Sequence, residues 1–223
     1  MNDTDIKLNL GCGPNSASGW LNFDWGVLPL LSKLPWLRKT AIALRVLPAR
    51  YEASWPAIRL VDIRKRFPLP DGSVKFIYCS HVLEHFERWE AVRILNECRR
   101  CLKPGGIMRI VVPDIARMFA NYQEALQPPP DAAGEKRPAR DLCRTWWGFS
   151  TDEEPGGFFG RLSRKFMRNH RWHYDRRELE WLVKDAGFDQ MTLCDFREGA
   201  VPDLQMLDYA DHKPHSIYVE ITK

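Results

Sequence analysis

Two glycines one residue apart close a short apolar run in Lys7-Leu8-Asn9-Leu10-Gly11-Cys12-Gly13-Pro14-Asn15. Glycine enters φ > 0 easily and lets a ligand meet the backbone without a Cβ in the way. Gly11, Cys12 and Gly13 are therefore a candidate cradle for a nucleotide-like group at the carboxyl end of a first strand. Two aspartates each end a later apolar run, Asp24 after Gly19–Phe23 and Asp62 within Ile58–Ile63. A carboxylate there accepts two ribose hydroxyl hydrogens or an exocyclic base amine. A surface aspartate with no ligand is the plain alternative for Asp24. Ser80 and His81 leave a fourth apolar run, and His81 is a candidate proton acceptor or else a positioning residue. Asp114, after a fifth run, and His173, inside His170-Arg171-Trp172-His173-Tyr174, are candidates to complete an acceptor pocket, with helix capping and surface placement as their alternatives.

One spacing points to metal chemistry. His81-Val82-Leu83-Glu84-His85 spells the His-x-x-Glu-His pattern of zinc proteases, which needs a long helix and a further ligand. Here it follows an apolar strand directly and a separate helix begins soon after, so the pattern is read as coincidence and no metal site is expected. Cys98-x-x-Cys101 is read as core, because Ala91, Ile94, Leu95, Cys98 and Leu102 form an apolar stripe at helical spacing.

Strands and helices alternate around these residues. Strands are expected at Lys7–Leu10, Gly19–Asp24, Ile58–Ile63, Val74–Cys79, Ile107–Val112, Met191–Phe196 and Ser216–Ile221. A helix is expected from Trp89 to Leu102, stopped by Lys103-Pro104-Gly105-Gly106. Another starts with a capping box of Asp175 and Glu178 and ends at Gly187. The glycine turn closes near Asn15, so any helix between the first two strands must be very short. Alternation of this kind is the signature of a doubly wound α/β sheet.

Two stretches fall outside the alternation. Residues 26–56 read as an insertion, with Lys33, Arg38, Lys39, Arg45 and Arg50 but no acid between Val27 and Arg50. Its charges and prolines rule out a spanning helix, which needs ~20 nearly uncharged apolar residues. Either it is a lid helix over the domain's own ligand site, or 27–50 contacts an anionic membrane surface or a partner. Residues 127–170 lose periodicity and read as long loops with a short helix, the part that shapes a substrate site.

The 223 residues fit one α/β domain with insertions, and 44% apolar with 28% charged residues is ordinary for a globular protein. A net charge of +4, with no aromatic-basic repeat and no zinc-finger spacing, gives no ground for nucleic-acid binding. Six cysteines without a disulfide framework, and a polar, acidic start without a leader pattern, lead to the expectation of reduced thiols in a cytoplasmic protein.

The glycine turn, Asp24, Asp62, Ser80-His81, the Lys103–Gly106 turn and two late strands, in that order, resemble the class I S-adenosylmethionine-dependent methyltransferases. The resemblance is closest to the small methyltransferase-type-11 group. It covers residues 6–118 well and 170–223 more loosely, and it is the combination that is specific. It implies a Rossmann-like, doubly wound seven-stranded sheet of order 3-2-1-4-5-7-6, last strand antiparallel, and S-adenosyl-L-methionine as cofactor. It further implies that Asn9, Gly11 and Gly13, with Cys12 between them, line the amino-acid end of the cofactor. Asp24 would take the ribose, Asp62 and Ile63 the adenine, and Ser80 with His81 would stand beside the sulfonium and the acceptor. Asn9 departs from the acid found in many relatives, and Asn15 from a third glycine. The expected acceptor is a hydroxyl of a small molecule or glycan. Competing readings are an NAD(P)-dependent oxidoreductase, disfavoured by Ser16 at the third glycine position and by the lack of Tyr-x-x-x-Lys, and a non-catalytic module that binds the cofactor or docks at a membrane.

Overall fold

The computed structural model describes residues 5–14, 16–44, 47, 52, 57–127, 137–148 and 169–223. Seven strands form one sheet: β1 (Ile6–Leu10), β2 (Trp20–Asp24), β3 (Ile58–Leu60), β4 (Val74–Ser80), β5 (Leu102–Pro113), β6 (Met191–Cys194) and β7 (Ser216–Thr222). Their order is β3-β2-β1-β4-β5-β7-β6. The first five pair in parallel, and β7 runs antiparallel between β5 and β6. This is the expected sheet, order and direction included.

Side-chain alternation divides the core by face. Ile77, Cys79, Met108, Ile110 and Val112 point into one cluster, covered by α3 (Arg88–Cys101) and by α6 (Arg176–Asp185). Tyr78, Val111 and Tyr218 point to the other face, covered by the short α7 (Leu204–Leu207). Arg109, between Ile107 and Val111, falls on that second face and is fully buried. Asp208 and Glu220 neutralise it, with Asp208 Oδ2 at 2.6 Å.

Several boundaries differ from the expected ones for local reasons. Helix α3 starts at Arg88 because Glu87 and Glu90 form a reciprocal capping box before Trp89. It ends at Cys101, since Leu102 already pairs with Val74; residues 103–106 then bulge from β5 before pairing resumes at Phe76 and Ile107. Asp175 caps α6 by accepting from Glu178 N–H, but the Glu178 carboxylate turns to Arg88 and Trp172, so that box is half formed. Strand β3 stops at Leu60, two residues before Asp62, and β6 stops at Cys194. Gly187 does end α6, with φ +77°. Cys98 is fully buried on the core face of α3, as its stripe implied, and all six cysteines are free thiols.

The insertion contains α1 (Val27–Ser32) and α2 (Pro35–Ala43). Helix α2 fully buries none of its residues, and Leu37, Arg38, Ala41 and Ile42 on it are half-buried. Asn15 and the insertion residues 45–46, 48–51 and 53–56 lie outside the described residues, as do 128–136 and 149–168. Of the stretch 127–170, the described part is chiefly α5 (Pro138–Trp147), which packs on α4 (Ile115–Leu126). Among the described residues, no helix is long and apolar enough to cross a membrane.

Candidate active site

Two different demands set the glycine turn. Gly11 takes φ +61° and Gly13 φ +54°, which glycine adopts without strain. A Cβ on Gly11 would strike the Val82 side chain, whereas one on Gly13 would meet nothing within 4 Å. Gly11 is thus a packing glycine, and Gly13 is the one whose backbone stays open to a ligand. Asp24 ends β2 and reaches back to the turn. Its Oδ2 accepts from Gly13 N–H at 2.8 Å and its Oδ1 from Trp25 N–H at 2.7 Å. A carboxylate has about four lone-pair sites and is the kind of group that accepts from ribose hydroxyls.

Other residues expected at the cofactor stand differently. Asn9 is 3% exposed and donates through Nδ2 to Asn22 Oδ1 at 3.2 Å, so its side chain lies within the β1–β2 layer beneath the turn. Burial, then the Asp24 charge, pushes the Cys12 thiol up to about 12, and it packs as a neutral thiol. Asp62 is forked by Arg64, with Nε on Oδ1 and Nη2 on Oδ2, both at 2.8 Å. That bond holds its carboxyl below the ordinary range, and an adenine amine would share Asp62 with Arg64. Ile63 is buried in the core.

The acceptor side is built on the exit from β4. After Ser80, His81 takes φ +54°, which histidine tolerates better than most residues but which still carries strain. Its N–H is held by Val111 O at 2.8 Å. Its Nδ1 lies 3.2 Å from Glu84 Oε1, and its Nε2 lies 2.9 Å from Ser216 Oγ. A carboxylate only accepts, so the proton sits on Nδ1, and Nε2 accepts from the serine hydroxyl. Burial alone would raise the Glu84 carboxyl; His81, then His85 and His170, reverse this and hold it at about 2. His170 itself is pushed down to about 4 by burial and is neutral at pH 7. Ser216, His81 and Glu84 have the connectivity of a nucleophile, base and orienting acid. Ser216 is 1% exposed, however, and its hydroxyl reaches no substrate.

A cavity of about 300 Å³ opens beside His81, walled by His170, His212, His215, Arg144 and Pro113. His212 stacks on His81 at 3.6 Å between ring centroids, and burial, then His81, pushes it down to about 3. His173 lies against the Trp146 ring at 4.0 Å. Asp114 caps α4 by accepting from Ala116 N–H at 3.0 Å, which is the alternative the sequence left open for it. Another hollow, about 340 Å³ along β6 beside Cys194 and Glu198, is lined by none of the candidate residues. Sequence reasoning missed Glu84, Ser216, His212 and His215 as neighbours of His81. Only Glu84 left a signal, its three-residue spacing from His81.

A family model described as Methyltransferase domain matches residues 11–193, from the glycine cradle into β6. This chain belongs to the S-adenosylmethionine-dependent methyltransferases. The methyltransferase is 26% identical over 179 residues to a protein of Mycolicibacterium smegmatis named Probable S-adenosylmethionine-dependent methyltransferase, covering 76% of this chain and 68% of that one. It shares its fold with a SAM-dependent methyltransferase of Methanosarcina mazei, at 17% identity and TM-score 0.50, covering 100% of this chain and 94% of the other. A SAM-dependent methyltransferase of Archaeoglobus fulgidus covers 99% of this chain and 87% of its own, at 11% identity and TM-score 0.49.

Proposed function

We propose that the acceptor of this S-adenosylmethionine-dependent methyltransferase is a hydroxyl, on a small molecule or the end of a glycan. The observation that carries this reading is His81, a histidine with Glu84 on one nitrogen and an acceptor lone pair on the other. A hydroxyl must lose its proton during methylation, whereas a neutral amine needs no base to react. The cavity beside His81 supports the same reading. Its imidazoles, Arg144 and Thr145 suit a hydroxylated ligand, and about 300 Å³ suits a small one.

The cradle fits the cofactor. The open backbone at Gly13 leaves space for the zwitterionic tail, and Asp24 offers a carboxylate for ribose hydroxyls. Gly13, Asp24 and Asp62 are the residues that would hold it. When bound, S-adenosylmethionine supplies an electrophilic methyl on a sulfonium, for direct displacement. His81 receives the acceptor proton at Nε2, after the Ser216 hydroxyl turns away. Glu84, facing Nδ1 at 3.2 Å, favours the tautomer with the proton on that nitrogen, and its charge stabilises the imidazolium. Methyl-transfer assays over alcohols and glycans test this. His81→Asn is expected to lower kcat by about 10²–10⁴-fold while S-adenosylhomocysteine affinity is kept. An unchanged kcat contradicts the role.

The insertion supports a second contact. Leu30 and Trp36 are exposed, Trp36 by 69%, on the segment that carries Lys33, Arg38 and Lys39. Apolar and basic residues presented together suit an anionic membrane surface better than a lid. Vesicles containing anionic lipid are expected to pellet the full chain and not a variant with Lys33, Arg38 and Lys39 changed to Glu. Equal pelleting sinks the idea.

A further inference from the structure

We propose that Glu84, His85 and His170 bind a divalent first-row transition metal ion, with Zn²⁺ the best match, beside the acceptor cavity. One ligand atom from each of the three lies within 4.8 Å of the others. Ligand atoms bound to one tetrahedral ion at ~2.0–2.2 Å stand ~3.3–3.6 Å apart, so side-chain rotations that move these atoms by about an ångström close the set. Two imidazoles and one carboxylate form a borderline donor set that suits zinc and its neighbours over calcium or magnesium.

The carboxylate gives an independent reason. Glu84 is 1% exposed, and among the described residues neither of its oxygens receives a hydrogen bond. His81 Nδ1, at 3.2 Å, is close to Oε1 but not aligned as a donor, and His170 Nε2 stands 4.0 Å away. A buried carboxylate without aligned donors is costly unless a cation compensates it. Having two oxygens, Glu84 can serve an ion and still face His81.

The surroundings hold the other two rings in place. The His85 Nδ1 lies 3.4 Å from Asn169 O, and a carbonyl only accepts, so this contact places the proton on Nδ1 and leaves Nε2 as the lone pair. Arg171 N–H and Trp172 N–H both donate to Glu84 O, at 2.7 and 3.2 Å, which pins the His170 segment to the 3₁₀ turn Leu83–His85. Gly148 packs so closely on His170 that a Cβ there would come within 2.5 Å of Nε2. The His81-x-x-Glu84-His85 spacing therefore works without a long helix, because the third ligand arrives from a distant segment instead. Three protein ligands leave a tetrahedral ion one position for water or an acceptor oxygen.

Zn²⁺ titrated calorimetrically into the metal-depleted full chain tests the site. About one ion per chain is expected, with affinity at least tenfold lower in Glu84→Gln and in His170→Ala, and unchanged in Cys143→Ser. Co²⁺ in place of Zn²⁺ is expected to give d–d bands without thiolate charge transfer. Stoichiometry well below one, or wild-type affinity in both ligand variants, overturns the proposal, as does a thiolate band. S-adenosylhomocysteine binding, measured on the same samples, shows that each variant is folded. Cofactor binding without zinc binding removes the metal site alone; zinc binding without cofactor binding removes the methyltransferase reading alone.

Discussion

Asp24 serves two partners at once, and that makes it a sensitive residue to change. Its carboxylate fastens the Gly13 N–H and, under the proposed cofactor geometry, would also accept from a ribose. Asp24→Asn keeps one acceptor oxygen and loses the charge. Charged hydrogen bonds contribute ~1.5–3 kcal/mol, so S-adenosylhomocysteine affinity is expected to fall about 10–100-fold by calorimetry. Wild-type affinity in this variant counts against Asp24 as a ribose contact. At this scale a residue's type and its place at a strand end sufficed to put Gly13 in a turn and Asp24 at the end of β2. Side-chain direction was less legible: Asn9, two residues before Gly11, donates across to Asn22 on the neighbouring strand. The neighbours of His81 were hidden for another reason, since Ser216 lies 135 positions away and only sheet pairing unites them.

Helix α3 shows how the elements are anchored. Glu97 on α3 accepts from Phe67 N–H at 2.6 Å and pairs with Arg100, tying the helix to the loop after β3. Burial alone would raise its carboxyl, but Arg100, followed by the Phe67 N–H, brings it below the usual range. A depressed carboxyl stabilises the fold above its unfolded value of about 4.3 and loses that contribution as pH falls through the lower folded value. Glu97→Gln is expected to cost about 1–2 kcal/mol by urea unfolding at neutral pH, with the difference fading below about pH 4. An equal cost in acid contradicts the assignment. Element existence was legible from periodicity and caps. The ends were less so, because Glu87 is an unusual cap and Leu102 is apolar enough to suit helix or strand alike.

Across the whole molecule, one buried cation joins the sheet to the chain's last third. Arg109 on β5 pairs with Asp208 and Glu220, and donates to Asp195 O and Glu198 O. Nothing in a strand pattern announces it, since Met108 and Ile110 beside it read as uninterrupted core. Arg109→Met leaves two buried carboxylates without their cation, so a loss of about 3–5 kcal/mol is expected, lowering Tm by roughly 6–20 °C. A shift of only a degree or two contradicts that picture. The sheet order itself was legible, because the motifs arrive in the order that the resemblance requires. What covers the second face was not, because the four-residue helix Leu204–Leu207 is too short to show a period.

The two halves of the site, cradle and acceptor side, are separable in one experiment. S-adenosylhomocysteine is titrated by calorimetry into the wild type, Asp24→Asn and His81→Asn. Binding in the wild type is expected, with about 10–100-fold weaker binding in Asp24→Asn and near wild-type binding in His81→Asn. Absence of binding to the wild type, or equal losses in both variants, contradicts a cofactor cradle at Gly13 and Asp24 with a separate proton acceptor at His81.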